Sequence, residues 1–406
     1  MLRHLERSAL RLALCAADPW RRAVRATGAV CCGLRGQGTG VLSQPVRVLI
    51  EVGTLDRGGL EEVVHDLVVH LDRDRFLPII ACVQGGGWVA ERLKARGEQV
   101  EIVGGRHSAY RALLARERIS LVNSHYSTFG APLALRAGIP NVHVLHNSYL
   151  WLDHGGARRL SWKLGDIGHF VAVSSSVAAW ARSKLQVPAA RVEVIPNGID
   201  VQRLAVERDE LRRVTRSELG LEDGAVVFLL LGTYEPRKGH RAFLSAFARI
   251  AREHPQAVAV FAGNAPDARY LEEIRARAGA FPNQVRLLDF ERSPARLLAA
   301  ADAFVLPSVV EGFSLSTLEA AAFGLPLLLT DTGGAADLLG QGPQGILLPG
   351  YLDDLAAAGP EQIERAQREP PARVVTALEN AMVAICARRD QWRLAVSAGP
   401  ELVRRA

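Results

Sequence analysis

From residue 46 onward, short apolar runs rich in Val, Ile and Leu alternate with longer amphipathic stretches. The first series is VRVLIEVG (46–53), FLPIIACVQ (76–84), QVEIVGG (99–105), ISLVNSH (119–125), NVHVLHN (141–147), HFVAVSS (169–175) and RVEVIPN (191–197). After a charged, helix-prone stretch over 201–224 the pattern restarts with AVVFLLLG (225–232), AVAVFAG (257–263), QVRLLDF (284–290), AFVLPS (303–308), PLLLTD (326–331) and GILLPG (345–350). Apart from the short stretches QVEI (99–102), NVHV (141–144), RVEV (191–194) and QVRL (284–287), these runs do not alternate polar with apolar, so they predict strands buried on both faces, as in parallel sheets covered by helices. Two doubly wound α/β domains follow as the economical reading. The predicted division is a leader over 1–45, a first domain over 46–200, a linker helix over 201–224, a second domain over 225–372 and terminal helices over 373–406. Ligands of such sheets bind beyond the carboxyl ends of the strands, and where two domains face each other the cleft between them is the expected site.

Composition narrows the class. A chain of 406 residues with 49% hydrophobic and 23% charged residues, 37 Gly and 20 Pro is an ordinary globular protein of two or three domains. No apolar run approaches the roughly 18 residues that a membrane-spanning helix needs. The net charge of +6 is carried by the leader, where eight Arg face only Glu6 and Asp18 over residues 1–47; the body is neutral. That distribution argues against nucleic acid as a partner, which would require the basic residues on the folded domains. Arg3, Arg7 and Arg11 share one face of a helix ending near Asp18, so the leader is either a disordered start, a membrane-surface helix or a transit segment. Cys15, Cys31, Cys32, Cys82 and Cys386 show no metal-ligand spacing, and a reducing, cytoplasmic setting is expected. The chain has four lysines among its 49 basic residues, at 94, 163, 184 and 238, so a lysine inside a motif draws notice.

The loops after the strands carry the candidate chemistry. TLDRGGLEEVV places Gly58 and Gly59 at the opening of a helix, where the backbone admits an anion; a plain strand-to-helix turn explains the same residues. His125 and His146 end neighbouring strands and point to a common ligand, whereas His143 falls on the other face of the pleat and is assigned to packing. GTYEPRKGH carries Lys238 beside a glycine turn, a point charge suited to a diphosphate, with Arg237 as a fork donor or a solvent-facing charge. In VLPSVVEGFSLSTLEAAAFGLPLLLTD, Glu311 lies beyond a buried strand, Gly312, Phe313 and Ser314 turn the chain, and a helix begins near Ser314 to Ser316 with Glu319 in its second turn. Both acids can reach one ligand whose phosphates sit on that helix N-terminus, each accepting from hydroxyls at one end of it.

The spacing Glu311-x7-Glu319 in EGFSLSTLEA, together with VAVSSSV, VIPNGID (194–200) and the PRKG turn, resembles glycosyltransferase family 4: retaining transferases of GT-B fold that use nucleotide-sugar donors. The resemblance covers about residues 46–350. It implies a first, acceptor-side domain and a second, donor-binding domain, transfer without a metal or other cofactor, and a catalytic set of His146, Lys238 and Glu311. By the same resemblance Glu311 contacts the transferred sugar, Glu319 the ribose and Lys238 the diphosphate; Gly58, Gly59, Arg237, Gly312, Phe313, Ser314 and Leu315 line the donor site, and His125 and Asn197 contact sugar or acceptor. The implied partners are a nucleotide sugar and a glycan or lipid-linked acceptor, as in surface polysaccharide synthesis, with peripheral contact to the cytoplasmic face of a membrane. Two departures stand out. Thr233 occupies a position where many members carry Arg, and residues 351–372 look like a divergent insertion before an expected crossing helix. Asp72-Arg73-Asp74 matches a D-x-D metal pattern but falls on the amino side of its strand, away from the predicted cleft. A nucleotide-sugar 2-epimerase and a non-catalytic sugar-nucleotide-binding subunit are the alternatives.

Overall fold

The computed structural model describes residues 44–150, 152–340, 344–354 and 358–396. The leader, with Cys15, Cys31 and Cys32, and the terminal residues from 397 lie outside them. The chain divides into two compact units: one running to His146 and including 156–173 and 181–195, the other made of 147–155, 174–180 and the chain from Pro196 onward. The second unit therefore takes in two short segments and residues 196–200 that the sequence pattern assigns to the first domain.

The first unit holds a seven-stranded sheet of β1 (Val46–Val52), β2 (Phe76–Cys82), β3 (Val100–Ile102), β4 (Leu121–His125), β5 (Asn141–Leu145), β6 (His169–Ala172) and β7 (Val192–Val194), in the order β3-β2-β1-β4-β5-β6-β7. Every pairing is parallel. Alternate residues of β1 enter different layers: Val48, Ile50 and Val52 pack with Val64, Val68 and Leu93, while Leu49 packs with Tyr110, Leu113 and Leu133. This two-sided burial is why β1 shows no regular polar alternation, whereas the part-exposed edge strands β3 and β7 read VEI and VEV. The second unit holds β8 (Val226–Leu231), β9 (Ala257–Ala262), β10 (Val285–Leu288), β11 (Ala303–Leu306), β12 (Leu327–Thr330) and β13 (Gly345–Leu348), ordered β10-β9-β8-β11-β12-β13 and again all parallel.

The helix Arg208–Glu218, expected as a linker, is fastened to the second unit. Arg212 and Arg216 reach the fully buried Asp302, which also accepts from Arg393 and from the Val227 amide. The stretch 351–372 includes a helix, Pro360–Arg368, whose Gln367 carbonyl accepts from Arg241. In each sheet the strand order reverses at one point, between β1 and β4 and between β8 and β11. A crevice forms where loops leave in opposite directions, so the loops after these four strands are where each unit is built to bind.

Candidate functional site

In the second unit the switch point brings together the two motifs that are far apart in the chain. After β8, a single 3-10 turn, Pro236–Lys238, ends at Gly239 with φ +78°. Only glycine fits there, because a Cβ would run into the Pro307 carbonyl beyond β11. That close approach presses Lys238 against the β11 loop: its Nζ donates to Glu311 Oε2 at 2.6 Å, and the Val309 amide donates to the Arg237 carbonyl at 2.8 Å. Glu311 also accepts from Ser308 Oγ at 3.3 Å and from the Gly312 amide at 3.4 Å. Arg237 bonds Glu235 at 2.6 Å and lies 4.0 Å from Glu311. Burial alone would raise the Glu311 pKa, but the charges of Lys238 and Arg237 outweigh it and hold the carboxyl below its ordinary value. Burial acts on Lys238 in the opposite sense and lowers it, against the pull of Glu311.

The helix following Glu311 runs Leu315–Ala322, with Ser314 as N-cap accepting from the Thr317 amide at 3.3 Å. Ser316 Oγ donates to the Leu231 carbonyl at 2.9 Å and ties this helix start to the end of β8. Phe313 and Ser314, with Ser308, Glu311, Thr317 and Thr332, line a small open recess. Glu319 is half-buried on the same helix. Asn197 Nδ2 donates to the Phe313 carbonyl at 2.8 Å, so its amide braces the Gly312–Ser314 turn from within the unit. Thr233 carries a buried hydroxyl with no hydrogen-bond partner among the described residues.

In the first unit, His125 at the end of β4 and His146 just past β5 are both buried and joined through Nδ1 and Nε2 at 2.8 Å; His125 Nε2 meets Asn123 Oδ1 at 2.7 Å. Burial lowers the pKa of both, to about 3 for His125, so both rings are neutral. His143 bonds Ser124 at 2.8 Å on the other face, as the pleat requires. Gly58 caps the helix Gly59–His70 in an extended conformation, and the Glu61 carboxylate lies beside it. The anion at this helix start is thus the protein's own. No neighbour crowds Gly59, so packing within the unit does not itself demand a glycine there.

Sequence reasoning missed the Glu51 cluster. This buried carboxyl on β1 accepts from Tyr110 Oη at 2.6 Å, from Ser127 Oγ, and from the Gly130 amide at 3.0 Å. Desolvation raises its pKa despite these donors. Its one signal was a glutamate set among Leu49, Ile50 and Val52 near the end of β1. Asp72 and Asp74 form the turn before β2, on its amino side, with Arg73 bonded to Val68 and Glu98. Among the described residues the grouping with metal-ligand spacing is Glu62, His65 and Asp66, where Arg92 already bonds Glu62 at 2.5 Å and lies 3.4 Å from His65 Nε2. A guanidinium there supplies the positive charge that a cation would bring.

Two known families match the chain in order: residues 57–203 match Glycosyltransferase Family 4, and residues 212–378 match Glycosyl transferases group 1. The chain belongs to glycosyltransferase family 4 and has the GT-B fold of two Rossmann-like domains. It is 28% identical over 239 residues to the UDP-Gal:alpha-D-GlcNAc-diphosphoundecaprenol alpha-1,3-galactosyltransferase of Escherichia coli, covering 55% of this chain and 60% of that protein. Over 237 residues it is 30% identical to the GDP-mannose-dependent alpha-(1-6)-phosphatidylinositol monomannoside mannosyltransferase of Mycolicibacterium smegmatis, covering 54% and 59%. These matches span less than two thirds of the relatives' own length. Anabaena HepE, solved in complex with UDP and glucose, shares the fold with a TM-score of 0.65 at 20% identity, over 89% of this chain and 98% of that one.

Proposed function

We propose that this chain is a retaining hexosyltransferase that moves a sugar from a nucleotide-diphosphate donor to a glycan or lipid-linked acceptor. The observation that carries the reading is the buried Lys238–Glu311 pair at the switch point of the second sheet, beside the N-terminus of the helix Leu315–Ala322. The names of the two relatives include UDP-Gal and GDP-mannose donors, and acceptors built on undecaprenol or phosphatidylinositol, which supports the substrate classes.

In this reading the donor diphosphate takes the Lys238 ammonium and the helix N-terminus, where Ser314 has already satisfied the Thr317 amide and fixed the first turn. Before the donor arrives, Glu311 is the counter-ion that keeps Lys238 charged. Once a diphosphate replaces it, the Glu311 carboxylate is released to accept from hydroxyls of the transferred sugar, and Glu319 accepts from the ribose. Charge grows on the leaving phosphate as the glycosidic bond breaks, and a cation already fixed in a water-poor site stabilises that growth without reorganising. The acceptor hydroxyl attacks from the face the diphosphate leaves, with a donor phosphate oxygen taking its proton. Lys238 and the helix N-terminus supply the positive charge, so no metal enters the reaction. His146 is the first unit's candidate for binding sugar or acceptor hydroxyls, with both nitrogens of His125 already taken by His146 and Asn123 behind it.

The expected result for Lys238→Ala is a fall in kcat of roughly a hundredfold, with a smaller change in donor KM. Lys238→Arg keeps the charge but is wider and planar, and a site shaped for an ammonium accepts it poorly. Normal kcat in Lys238→Arg would reduce the lysine to a generic charge.

Peripheral membrane contact is part of the proposal. Among the described residues no helix is long and apolar enough to cross a membrane. The helix His154–Leu164 presents Trp162 at 87% exposure, with Arg158, Arg159 and Lys163 exposed around it. An exposed indole ringed by three cations suits an anionic lipid surface. Vesicles of phosphatidylglycerol should capture the protein more weakly when Arg158 and Arg159 are changed to Glu; equal capture removes this surface.

A further inference from the structure

The hydrogen-bond chain at the end of β4 fixes more than the positions of the two histidines. Asn123 Oδ1 accepts only, and His125 Nε2 meets it at 2.7 Å, so that nitrogen carries the proton. A neutral imidazole has one N–H, which leaves His125 Nδ1 bare. His146 Nε2 lies 2.8 Å from that bare nitrogen, and two bare nitrogens cannot face each other at this distance, so His146 Nε2 carries the proton of the second ring. His146 Nδ1 is left unprotonated, and among the described residues it makes no hydrogen bond.

The ring is also held in plane. Tyr126 stacks on His146 with centroids 5.7 Å apart and planes 28° from parallel. Tyr126 itself has φ +57°, the left-handed region that a tyrosine seldom enters, and the residue is 42% exposed. The surrounding loop enforces that backbone: the Ser127 amide bonds the His125 carbonyl at 2.7 Å, and Ser127 Oγ and the Gly130 amide are both taken by the buried Glu51. A strained residue persists where neighbours over-determine it. Here the neighbours are Glu51 and Tyr110, so the cluster that sequence reasoning missed supports the loop that covers His146.

We infer that Asn123 and His125 are positioning residues that set the tautomer of His146, so that His146 presents a bare Nδ1 and accepts a hydrogen bond from a hydroxyl. The ligand group met by this atom is a donor, as a sugar or acceptor hydroxyl is. A phosphate or carboxylate oxygen would face a lone pair and be repelled. This deepens the transferase reading of the first unit and rests on it for the identity of the hydroxyl, while the tautomer itself follows from the protein alone.

The test is long-range proton–nitrogen NMR on the full chain labelled with ¹⁵N-histidine at pH 7. Resonances are assigned with His125→Gln and His146→Gln. The expected pattern is a protonated, pyrrole-type Nε2 and a bare, pyridine-type Nδ1 on both rings. Asn123→Leu removes the acceptor at the head of the chain, and both rings should then show averaged tautomers; unchanged spectra overturn the positioning role. A proton on His146 Nδ1 in the wild type overturns the inference outright, because Asn123 would then be presenting its NH₂. Titration with glucose should move the His146 Nδ1 resonance toward its hydrogen-bonded position, and inorganic phosphate should not. A response to phosphate, or none to glucose, overturns the ligand class. If the tautomers are as predicted but the chain transfers no sugar, the transferase reading fails and the tautomer assignment stands.

Discussion

Removing Lys238 should destabilise the second unit in a pH-dependent way, because its ammonium is the principal partner of a carboxylate that is only 14% exposed. In Lys238→Ala, Glu311 keeps Arg237 at 4.0 Å and the weak donors Ser308 at 3.3 Å and the Gly312 amide at 3.4 Å. Breaking a buried pair costs about 3 to 5 kcal/mol, and the remaining partners place this case at the low end, about 3 kcal/mol at pH 7. For a unit of this size that corresponds to a fall in Tm of roughly 6 to 12 °C. The sign with pH follows from the depressed Glu311 pKa. The folded state holds its proton less tightly than the unfolded chain, so the pair's contribution is fully present above the ordinary carboxyl value near 4.5 and is lost as pH falls through the folded value. The gap between wild type and Lys238→Ala should therefore narrow in acid. Calorimetry on wild type, Lys238→Ala, Glu311→Ala and the double variant checks this, with the double variant less destabilised than the sum of the singles by more than about 1 kcal/mol. Additive losses, or a gap that does not change with pH, would refute the account of the pair.

Glu319→Ala should weaken nucleotide-sugar binding by roughly 10- to 150-fold while leaving the Tm near normal, since hydrogen bonds to a charged acceptor are worth about 1.5 to 3 kcal/mol; unchanged donor affinity by calorimetry removes Glu319 from the site. Asp302→Ala takes a fully buried carboxylate from Arg212, Arg216, Arg393 and the Val227 amide, of which Arg212 and Arg216 keep backbone carbonyl acceptors, and should lower stability by about 3 kcal/mol, read as denaturant midpoint. Transfer should survive EDTA; complete loss with rescue by Mn²⁺ or Mg²⁺ would overturn the metal-free mechanism.

The strands were legible because burial writes itself into the chain as apolar-rich runs, and the thirteen strands among the described residues all lie within the runs that predicted them. The helix start at Ser314 was legible for a local reason, since a serine cap and its Thr317 partner lie three residues apart. Long-range pairing was not. Lys238 and Glu311 are separated by 73 residues, and nothing in either motif announces that they touch; the contact depends on Gly239 approaching Pro307 across two strands. The same limit hid the Glu51 cluster, whose donors come from Tyr110, Ser127 and Gly130. It also concealed the Phe313 carbonyl that takes the Asn197 amide. Contact grouping is hidden for a related reason: 147–155 and 174–180 sit between strands of the first sheet in sequence but group with the second unit in space.

The most direct measurement incubates the full chain with a panel of UDP-, GDP- and ADP-sugars, with and without a polyprenyl-diphosphate sugar acceptor. Free nucleotide and the anomeric configuration of the product are followed together. The account predicts that one donor releases its nucleotide in step with transfer when acceptor is present, and that the new linkage keeps the donor's α configuration. Inversion at the anomeric carbon, an epimerised sugar nucleotide, or binding without turnover across the panel would contradict it.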